Sequence, residues 1–180
     1  RHSFLDMLEI LKDNKELICA EIGTWTGENA MIMLRGDKRV KLYTIDGYSH
    51  TTLCFTGDVM SKEEVDKIEK TAEENLTPYG ERRIKVKKQS EEAYNDFPDE
   101  YFDYIYIDGD HHYATVKNDI NIWYPKLKKG GVMGGHDWAD EYGEVKKAVL
   151  EFKEQKGIGN VCCDNPIPIH MGFSDWWFVK

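Results

Sequence analysis

The sequence predicts a single α/β domain over residues 1–180, with a mostly parallel sheet covered by helices on both faces. Two observations indicate this class: strand patterns alternate with helical patterns along the chain, and the last two predicted strands follow each other without a helix. Alternation requires crossover connections, which leave the strands parallel and cover both faces of the sheet. Because the final pair needs no crossover, we expect it to be antiparallel and to lie at an edge.

Short apolar runs predict the strands of the first half. Residues 17–23 form a buried run that ends in glycine, residues 40–46 alternate and end in an acid, and residues 83–88 carry clustered basic side chains. Runs of this length bounded by turn residues are typical of strands. The basic cluster of the third run is interpreted as one solvated face of a strand.

Helical spacing of apolar side chains predicts the helices of the first half. Residues 4–11 form a leading helix that we expect to cover an edge of the sheet, and residues 28–34 form a helix after the first strand. Residues 61–76 form a third helix, which begins with the capping-box pattern Ser61-Lys62-Glu63-Glu64. A short helix starts at Ser90.

The second half of the chain continues the alternation. Residues 102–108 form a fourth strand, and apolar residues from 116 to 127 mark an amphipathic helix. We expect this helix to end in Lys128-Lys129-Gly130-Gly131, a cationic last turn followed by glycine. The remaining elements are a strand at 132–136, a helix at 145–152, and two strands near 160–163 and 175–179.

Composition and charge argue against several function classes. The net charge of −9 repels phosphate backbones, so bulk nucleic-acid binding is not expected. No run is apolar enough to cross a membrane, and no signal peptide is visible. None of the four cysteines forms a C-x-x-C pair, which favours buried, reduced thiols in a cytoplasmic protein over a zinc site. A homo-oligomer is left open.

Two features at the ends of the first two strands indicate a nucleoside site. Gly23 permits a sharp turn and close approach of a ligand to the backbone, and Gly27 lets the following helix pack tightly. Their G-x-x-x-G spacing lacks the middle glycine that a dinucleotide pyrophosphate needs. Asp46 ends the second strand, where a carboxylate accepts hydrogen bonds from both ribose hydroxyls. The alternative role for Asp46 is a helix or turn cap.

Polar clusters follow the fourth and fifth strands, which we expect to be neighbours. Charged groups just past a buried strand are costly without a purpose. Asp108, His136 and Asp137 are therefore predicted to converge on one divalent ion, either magnesium, manganese or calcium. The alternative is a metal-free network of hydrogen-bonded carboxylates and imidazoles.

Taken together, these motifs resemble the class I S-adenosylmethionine-dependent methyltransferases. The run Ile107-Asp108-Gly109-Asp110-His111-x-Tyr113, followed by Lys128-x-Gly130-Gly131 and His136-Asp137, is similar to the small-molecule O-methyltransferase-like group called methyltransferase family 24. The resemblance covers roughly residues 17–155. It implies a Rossmann-like fold with a seven-stranded sheet whose last strand is antiparallel, and S-adenosylmethionine as cofactor.

The resemblance also implies roles for individual residues. Those assigned to the cofactor are Glu21, Gly23, Thr24, Gly27, Asp46, Gln89, Ser90 and Asp108, with Gln89 and Ser90 at the adenine. Related metal-dependent enzymes carry an acid after strand four and an acidic or amide pair after strand five. This sequence departs from that pattern with a histidine, His136, at the first position of the pair. His111 matches the spacing of the base in related sugar methyltransferases.

The predicted reaction is methyl transfer to a hydroxyl of a small molecule or sugar. The acceptor must be deprotonated and aligned, so His111 is predicted to act as general base beside Asp108, whereas His112 is expected to bond locally. The competing roles for His111 are a metal ligand and a structural histidine. Two other classes remain: an NAD-dependent oxidoreductase, which the missing glycine disfavours, and a non-catalytic S-adenosylmethionine-binding module. The acceptor pocket is predicted from the leading helix and residues 47–60 and 164–174. Its suggested side chains are Tyr48, His50, Phe55, Asn165, His170, Met171 and Phe173.

Overall fold

The computed structural model of the chain describes residues 2–49, 59–138, 143–163 and 174–180. The strands in these ranges are β1 (Leu17–Ile22), β2 (Val40–Ile45), β3 (Arg83–Val86), β4 (Phe102–Ile107), β5 (Leu127–Gly135), β6 (Cys162–Cys163) and β7 (Trp176–Val179). The α-helices are α1 (His2–Ile10), α2 (Glu28–Gly36), α3 (Lys62–Leu76), α4 (Ser90–Ala93), α5 (Tyr113–Trp123) and α6 (Glu144–Lys156). None of these helices has the length and apolar character that a membrane crossing needs.

The strands form one sheet in the order β3-β2-β1-β4-β5-β7-β6. Strands β1 to β5 pair in parallel, whereas β7 runs antiparallel to both β5 and β6. The predicted mostly parallel, seven-stranded sheet with an antiparallel end is therefore confirmed. The chain leaves β1 toward β2 and β3 and then returns to place β4 on the other side of β1. Such a reversal opens a crevice at the carboxyl ends of β1 and β4, where α/β sheets bind ligands.

Apolar clusters cover both faces of the sheet, as the sequence predicts. One cluster holds buried residues of α5 and α6, including Trp123 and Phe152. The other holds buried residues of α1 and α2, including Phe4 and Met33. With both faces closed by helices, polar side chains of the strands meet solvent mainly at the strand ends. The carboxyl edge of the sheet is thus the natural place for a site.

The leading helix α1 packs against the middle of one sheet face, so its predicted place at an edge is wrong. The Phe4 ring lies 6.3 Å from the ring of Tyr104, which belongs to the central strand β4. Ser3 Oγ donates a 2.8 Å hydrogen bond to Asp175, just before β7. These contacts connect residues about a hundred or more positions apart, which periodicity along the chain does not reveal.

The Lys128–Gly131 motif lies inside strand β5, so its prediction as a helix end is wrong. Helix α5 ends at Trp123, and Tyr124–Lys126 form a 3₁₀ turn around Pro125, whose nitrogen cannot donate to a continuing helix. The glycines instead pair with the end of the chain. Gly130 N donates to Lys180 O, and Lys180 N donates to Gly131 O, both at 2.9 Å.

The basic side chains of β3 are paired with acids of α3. The Arg83 guanidinium donates two 3.0 Å hydrogen bonds to Glu73, and Lys85 and Lys87 each donate a 2.7 Å bond to Glu69. The hydrogen bonds from Arg83 hold the pKa of Glu73 at about 2. At its start, α3 carries the predicted capping box between Ser61 and Glu64, which is confirmed.

The described cysteines fit the sequence expectation only in part. Cys19 is a buried free thiol, whereas Cys162 and Cys163 are free but exposed on β6. The expectation of burial is wrong for this pair because β6 is a two-residue strand at the end of the sheet. Cys54 lies outside the described residues.

Candidate active site

A cavity of about 550 Å³ opens at the carboxyl ends of β1, β2, β3 and β4. Its apolar walls include Ile22, Ile45, Val65 and Ile68. Its polar lining includes Asp46, Tyr48, Lys88, Gln89, Ser90, Glu91, Asp108, Asp110, His112, Thr115 and Asp119. Aliphatic walls with a few converging polar groups are typical of small-molecule sites, and this volume lies within their range.

The turn after β1 is shaped by a close approach of the chain that follows β4. Gly23 has φ +88°, and a Cβ at this position would lie 2.3 Å from the carbonyl oxygen of Asp108 and 2.6 Å from Cα of Gly109. No side chain fits there. The sequence indicates a ligand that approaches the backbone as the reason for this glycine. The structure adds a second reason, which is the contact between the loops that follow β1 and β4.

Gly27 allows α2 to pack closely on α3, as predicted. Its φ is +82°, and an added Cβ would lie 2.9 Å from Cδ1 of Leu76. Two other residues assigned to the cofactor, Glu21 and Thr24, are buried at 1% and 4% exposure. Glu21 accepts a 2.8 Å hydrogen bond from Nδ2 of Asn29 in α2. Of the residues at the end of β1 and in the turn that follows, Gly23 and Trp25 line the cavity, whereas Glu21, Thr24 and Gly27 do not.

Asp46 lines the cavity and also holds two loops together. Its Oδ2 accepts hydrogen bonds from the backbone N–H groups of Thr24 and Trp25, both at 3.0 Å, and its Oδ1 accepts from Tyr48 N at 2.9 Å. The turn-cap alternative is thus realised in the structure. It does not exclude a ribose contact, since a carboxylate offers about four lone-pair directions and three are used here.

Two aromatic residues beside Asp46 have strained backbones. Trp25 has φ +50° and Tyr48 has φ +45°, in the left-handed region that bulky residues rarely adopt. The Tyr48 hydroxyl donates to the Trp25 carbonyl at 3.2 Å. Trp25 is 46% exposed at the cavity mouth, and sequence reasoning assigned it no role. Its position two residues after Gly23, in the turn that follows β1, was the feature of the sequence that could have identified Trp25 as a lining residue.

Gln89 and Ser90, the two residues after β3 that were predicted to contact adenine, differ in the hydrogen-bonding groups that they leave available to a ligand. Gln89 lines the cavity and donates through Nε2 to Ser49 Oγ. Ser90 Oγ donates to Asp119 Oδ1 at 2.5 Å and accepts from Trp123 Nε1 at 2.8 Å. The single hydroxyl proton of Ser90 is therefore already engaged.

Asp119 is a cavity-lining acid that sequence reasoning missed. It is 3% exposed, and burial raises its pKa to about 6. Asp119 sits on the buried stripe of α5 with Val116, Ile120 and Trp123. A carboxylate at an apolar helical position was the signal that could have identified it.

The ends of β4 and β5 bring together two carboxylates and two imidazoles. His111 Nε2 lies 3.2 Å from Asp137 Oδ2, and His136 Nδ1 lies 3.0 Å from the same oxygen. His136 Nδ1 is also 3.7 Å from Asp108 Oδ1. Asp137 has φ +59°, a left-handed conformation. The three residues predicted to bind a metal thus meet in one place, together with the predicted base.

The geometry favours His111 over His136 as a ligand. Asp108, His111 and Asp137 each offer one ligand atom, and these three atoms lie within 4.8 Å of one another. A small cavity of about 10 Å³ is lined by the same residues and His136, enough for one water-sized occupant. His136 Nδ1 lies 3.0 Å from Asp137 Oδ2 without a hydrogen bond between them, and the His136 carbonyl accepts a 3.2 Å hydrogen bond from Trp176 Nε1 of β7.

The neighbouring His112 bonds locally, as predicted. Its backbone N and its Nδ1 both contact Asp110 Oδ1, at 3.0 Å and 2.5 Å. Thr115 Oγ1 donates to the other oxygen of Asp110 at 3.0 Å. Of the side chains suggested for the acceptor pocket, Tyr48 lines the cavity. The other six, His50, Phe55, Asn165, His170, Met171 and Phe173, lie outside the described residues.

Comparison with known sequences identifies one family and one relative. The profile of methyltransferase family 24, described as a methyltransferase domain, matches residues 20–138. The uncharacterized protein R132 of Acanthamoeba polyphaga mimivirus is 30% identical in an alignment of 144 positions that covers 77% of this chain and 61% of that protein. The chain thus spans less than two thirds of the length of this relative.

Solved structures share the fold. The O-methyltransferase of Bacillus cereus, in complex with SAH, is 14% identical with a TM-score of 0.67, covering 99% of this chain and 80% of that one. The O-methyltransferase NovP is 17% identical with a TM-score of 0.67, covering 99% of this chain and 78% of that one. At such identities the likeness establishes the Rossmann-like architecture.

Proposed function

Because the chain belongs to methyltransferase family 24 of the class I S-adenosylmethionine-dependent methyltransferases, we propose that it transfers a methyl group from S-adenosylmethionine to a hydroxyl of a small molecule or sugar. One observation carries the proposal: a single cavity of about 550 Å³ reaches from Asp46, after β2, to Asp108, after β4. These are the residues assigned to the cofactor ribose and to the reacting end. The family is also a different class from the NAD-dependent oxidoreductases that the sequence left open.

The cavity offers suitable surroundings for each part of the cofactor. Asp46 keeps one acceptor direction, enough for one ribose hydroxyl, and aliphatic side chains such as Ile22 and Ile45 suit the faces of a purine. The backbone of Gly23 lines the cavity between these residues and Asp108. This arrangement supports a nucleoside in an extended cavity with its reactive end toward β4.

We further propose that a divalent cation is held by Asp108, His111 and Asp137. Two carboxylates and one imidazole, with ligand atoms within 4.8 Å of one another, fit such an ion. Carboxylates suit magnesium, calcium and manganese, whereas imidazole suits later transition metals, so the mixed set favours manganese. When bound, the ion lowers the pKa of an acceptor hydroxyl and orients it.

The chain's own residues then have distinct tasks. Asp108 borders both the large cavity and the small one, so it connects the cofactor end to the acceptor end. Asp137 Oδ2 lies 3.0 Å from His136 Nδ1 and 3.2 Å from His111 Nε2, yet among the described residues it accepts no hydrogen bond, so this buried oxygen is available as a ligand. This geometry supports a ligand role for His111 better than the role of general base, because its Nε2 faces Asp137 at 3.2 Å.

Isothermal titration calorimetry with S-adenosylhomocysteine (SAH) and with NAD⁺ tests the cofactor. We expect SAH to bind and NAD⁺ to give no heat. Methyl transfer from labelled S-adenosylmethionine to a panel of sugars, phenols and other hydroxyl compounds then tests the reaction, with manganese, magnesium or calcium added or removed by chelation. SAH binding without transfer to any acceptor would favour the non-catalytic module, and full activity after exhaustive chelation would remove the cation from the proposal.

A further inference from the structure

A buried carboxylate lies at the end of the large cavity formed by the residues that follow β3. Asp119 of α5 lines this end together with Lys88, Gln89, Ser90 and Glu91, which follow β3. It is 3% exposed, and it has no basic side chain as hydrogen-bond partner among the described residues. A buried acid without a cationic partner is costly to a fold, which calls for a functional reason.

The hydrogen bonds around Asp119 leave it as an acceptor toward the cavity. Trp123 Nε1 donates to Ser90 Oγ at 2.8 Å, and Ser90 Oγ donates to Asp119 Oδ1 at 2.5 Å. This relay fixes the orientation of the carboxyl group through two neighbours. Among the described residues only Oδ1 of Asp119 accepts a hydrogen bond, so Oδ2 can still accept one from a ligand. Ser90 has no second proton to offer a ligand.

The residues that line the cavity indicate which kind of hydrogen-bond donor would reach the Asp119 carboxylate. Ile22, Ile45 and Ile68 supply aliphatic surface suited to the flat faces of an aromatic base. Asp46, the predicted ribose acceptor, follows the adjacent strand β2. A base attached to a ribose at Asp46 would have this apolar surface beside it, with Lys88, Gln89 and Asp119 as polar groups of the same cavity.

We propose that Asp119 determines the base specificity of the cofactor site by accepting a hydrogen bond from the 6-amino group of adenine. This inference rests on the proposed function, since it assumes a purine nucleoside in the cavity. A 6-amino group donates two protons, whereas a 6-oxo purine presents a carbonyl oxygen. An ionised carboxylate repels that oxygen, so Asp119 both attracts adenine and rejects hypoxanthine.

The test compares SAH with its 6-oxo analogue, S-inosylhomocysteine, which has a carbonyl oxygen in place of the 6-amino group and a proton on N1. Dissociation constants are measured by calorimetry at pH 8, where a group of pKa about 6 is ionised. We expect the wild-type protein to prefer SAH by about 10- to 100-fold, in line with a charged hydrogen bond replaced by a repulsive contact. In Asp119→Asn we expect the preference to fall to about threefold or less, since an amide can rotate to donate to a carbonyl.

Two further variants sharpen the comparison. Glu92→Gln removes one negative charge from the same helix, α4, at an exposed position that does not line the cavity and lies outside the Trp123–Ser90–Asp119 relay, and should keep the wild-type preference. Asp119→Ser gives a second, smaller replacement and should also lose the preference. Circular dichroism and melting curves verify that each variant is folded.

Each outcome is decisive. An unchanged preference in folded Asp119→Asn and Asp119→Ser overturns the assignment, as does a wild-type protein that binds both ligands equally. Loss of preference in a Gln89→Leu variant alone would assign the base contact to Gln89 instead. Absence of SAH binding to the wild-type protein would overturn the proposed function itself, and this assignment with it.

Discussion

His111 Nε2 lies 3.2 Å from Asp137 Oδ2, across the gap between the ends of β4 and β5. The contact joins two loops that the sheet places side by side, because Ile107 pairs with Gly135 in the parallel register. The left-handed backbone of Asp137, with φ +59°, turns its carboxylate into this gap. A histidine placed opposite a carboxylate can share an ion with it or exchange a proton with it, and the two roles differ in measurable ways.

Replacing His111 by alanine should weaken manganese binding at least about tenfold, because a site of three protein ligands loses one. Titration of Mn²⁺ followed by electron paramagnetic resonance measures the affinity directly. His112→Ala is the matched control, since its imidazole bonds to Asp110 and is expected to leave the affinity unchanged. If His111→Ala keeps its manganese affinity while turnover falls by about two to four orders of magnitude, His111 is the general base.

Asp46→Asn should lower the affinity for SAH by about 10- to 100-fold, because a neutral amide replaces a charged acceptor for a ribose hydroxyl. The same change presents an NH₂ group where the carboxylate accepted from Thr24 N, Trp25 N and Tyr48 N, so the unliganded protein should also melt at a lower temperature. Calorimetry and differential scanning fluorimetry separate the two effects.

The control for this loss of stability is Asp37→Asn, which removes a carboxylate paired with Arg39 at the end of α2. This variant should melt earlier yet bind SAH with wild-type affinity. Wild-type affinity in Asp46→Asn would remove Asp46 from the cofactor site and leave it as a turn cap.

Local patterns predicted most of the fold and the outline of the site. Strand ends are identifiable from glycine and acidic residues, so Asp46, Asp108 and Asp137 could be placed at one sheet edge before any distance was known. The parallel direction of the first five strands follows from their alternation with helices, because such connections cross over the sheet.

The errors arose where a distant segment decides the local structure. Lys128–Gly131 carries a helix-end composition, but Gly130 and Gly131 pair with Lys180 at the other end of the chain. The role of His111 depends on the rotation of the Asp137 backbone, which composition does not encode. Asp119 was given no role because helical spacing identifies the buried apolar positions of α5. The role of an acid among these positions depends on its contact with Ser90, which the sequence pattern does not show.

Gly23→Ala should destabilise the protein by more than about 3 kcal/mol, because a new Cβ would meet the Asp108 carbonyl oxygen at 2.3 Å and force a left-handed alanine as well. Gly157→Ala is the matched control: its φ is +65°, but nothing lies within 4 Å of an added Cβ. This variant should cost only the backbone penalty, about 1–2 kcal/mol. Urea denaturation gives both values. Equal losses would mean that the β1 and β4 loops can separate without cost.

The free energy of unfolding should depend on pH through the ionisation of Asp119. Burial raises the pKa of Asp119 from 3.8 to about 6, so the folded protein binds this proton more tightly than the unfolded chain does. The ionised group therefore costs the fold up to about 3 kcal/mol, a cost fully present above pH 6 and relieved as the pH falls toward 3.8. Because a neutral amide leaves no charge to bury, Asp119→Asn should be more stable than wild type at pH 8.

Urea midpoints of wild type and Asp119→Asn, measured without ligand between pH 3.5 and pH 8, check this linkage. The advantage of the variant should be largest at pH 7–8, shrink below pH 6 and disappear below about pH 3.8, where both folded and unfolded wild type are protonated. Glu92→Gln, a change at an exposed acid of α4, should show no such pH-dependent advantage. A difference that stays constant across the range would mean that Asp119 keeps an ordinary pKa in the folded protein and that its burial is compensated by solvent in the cavity.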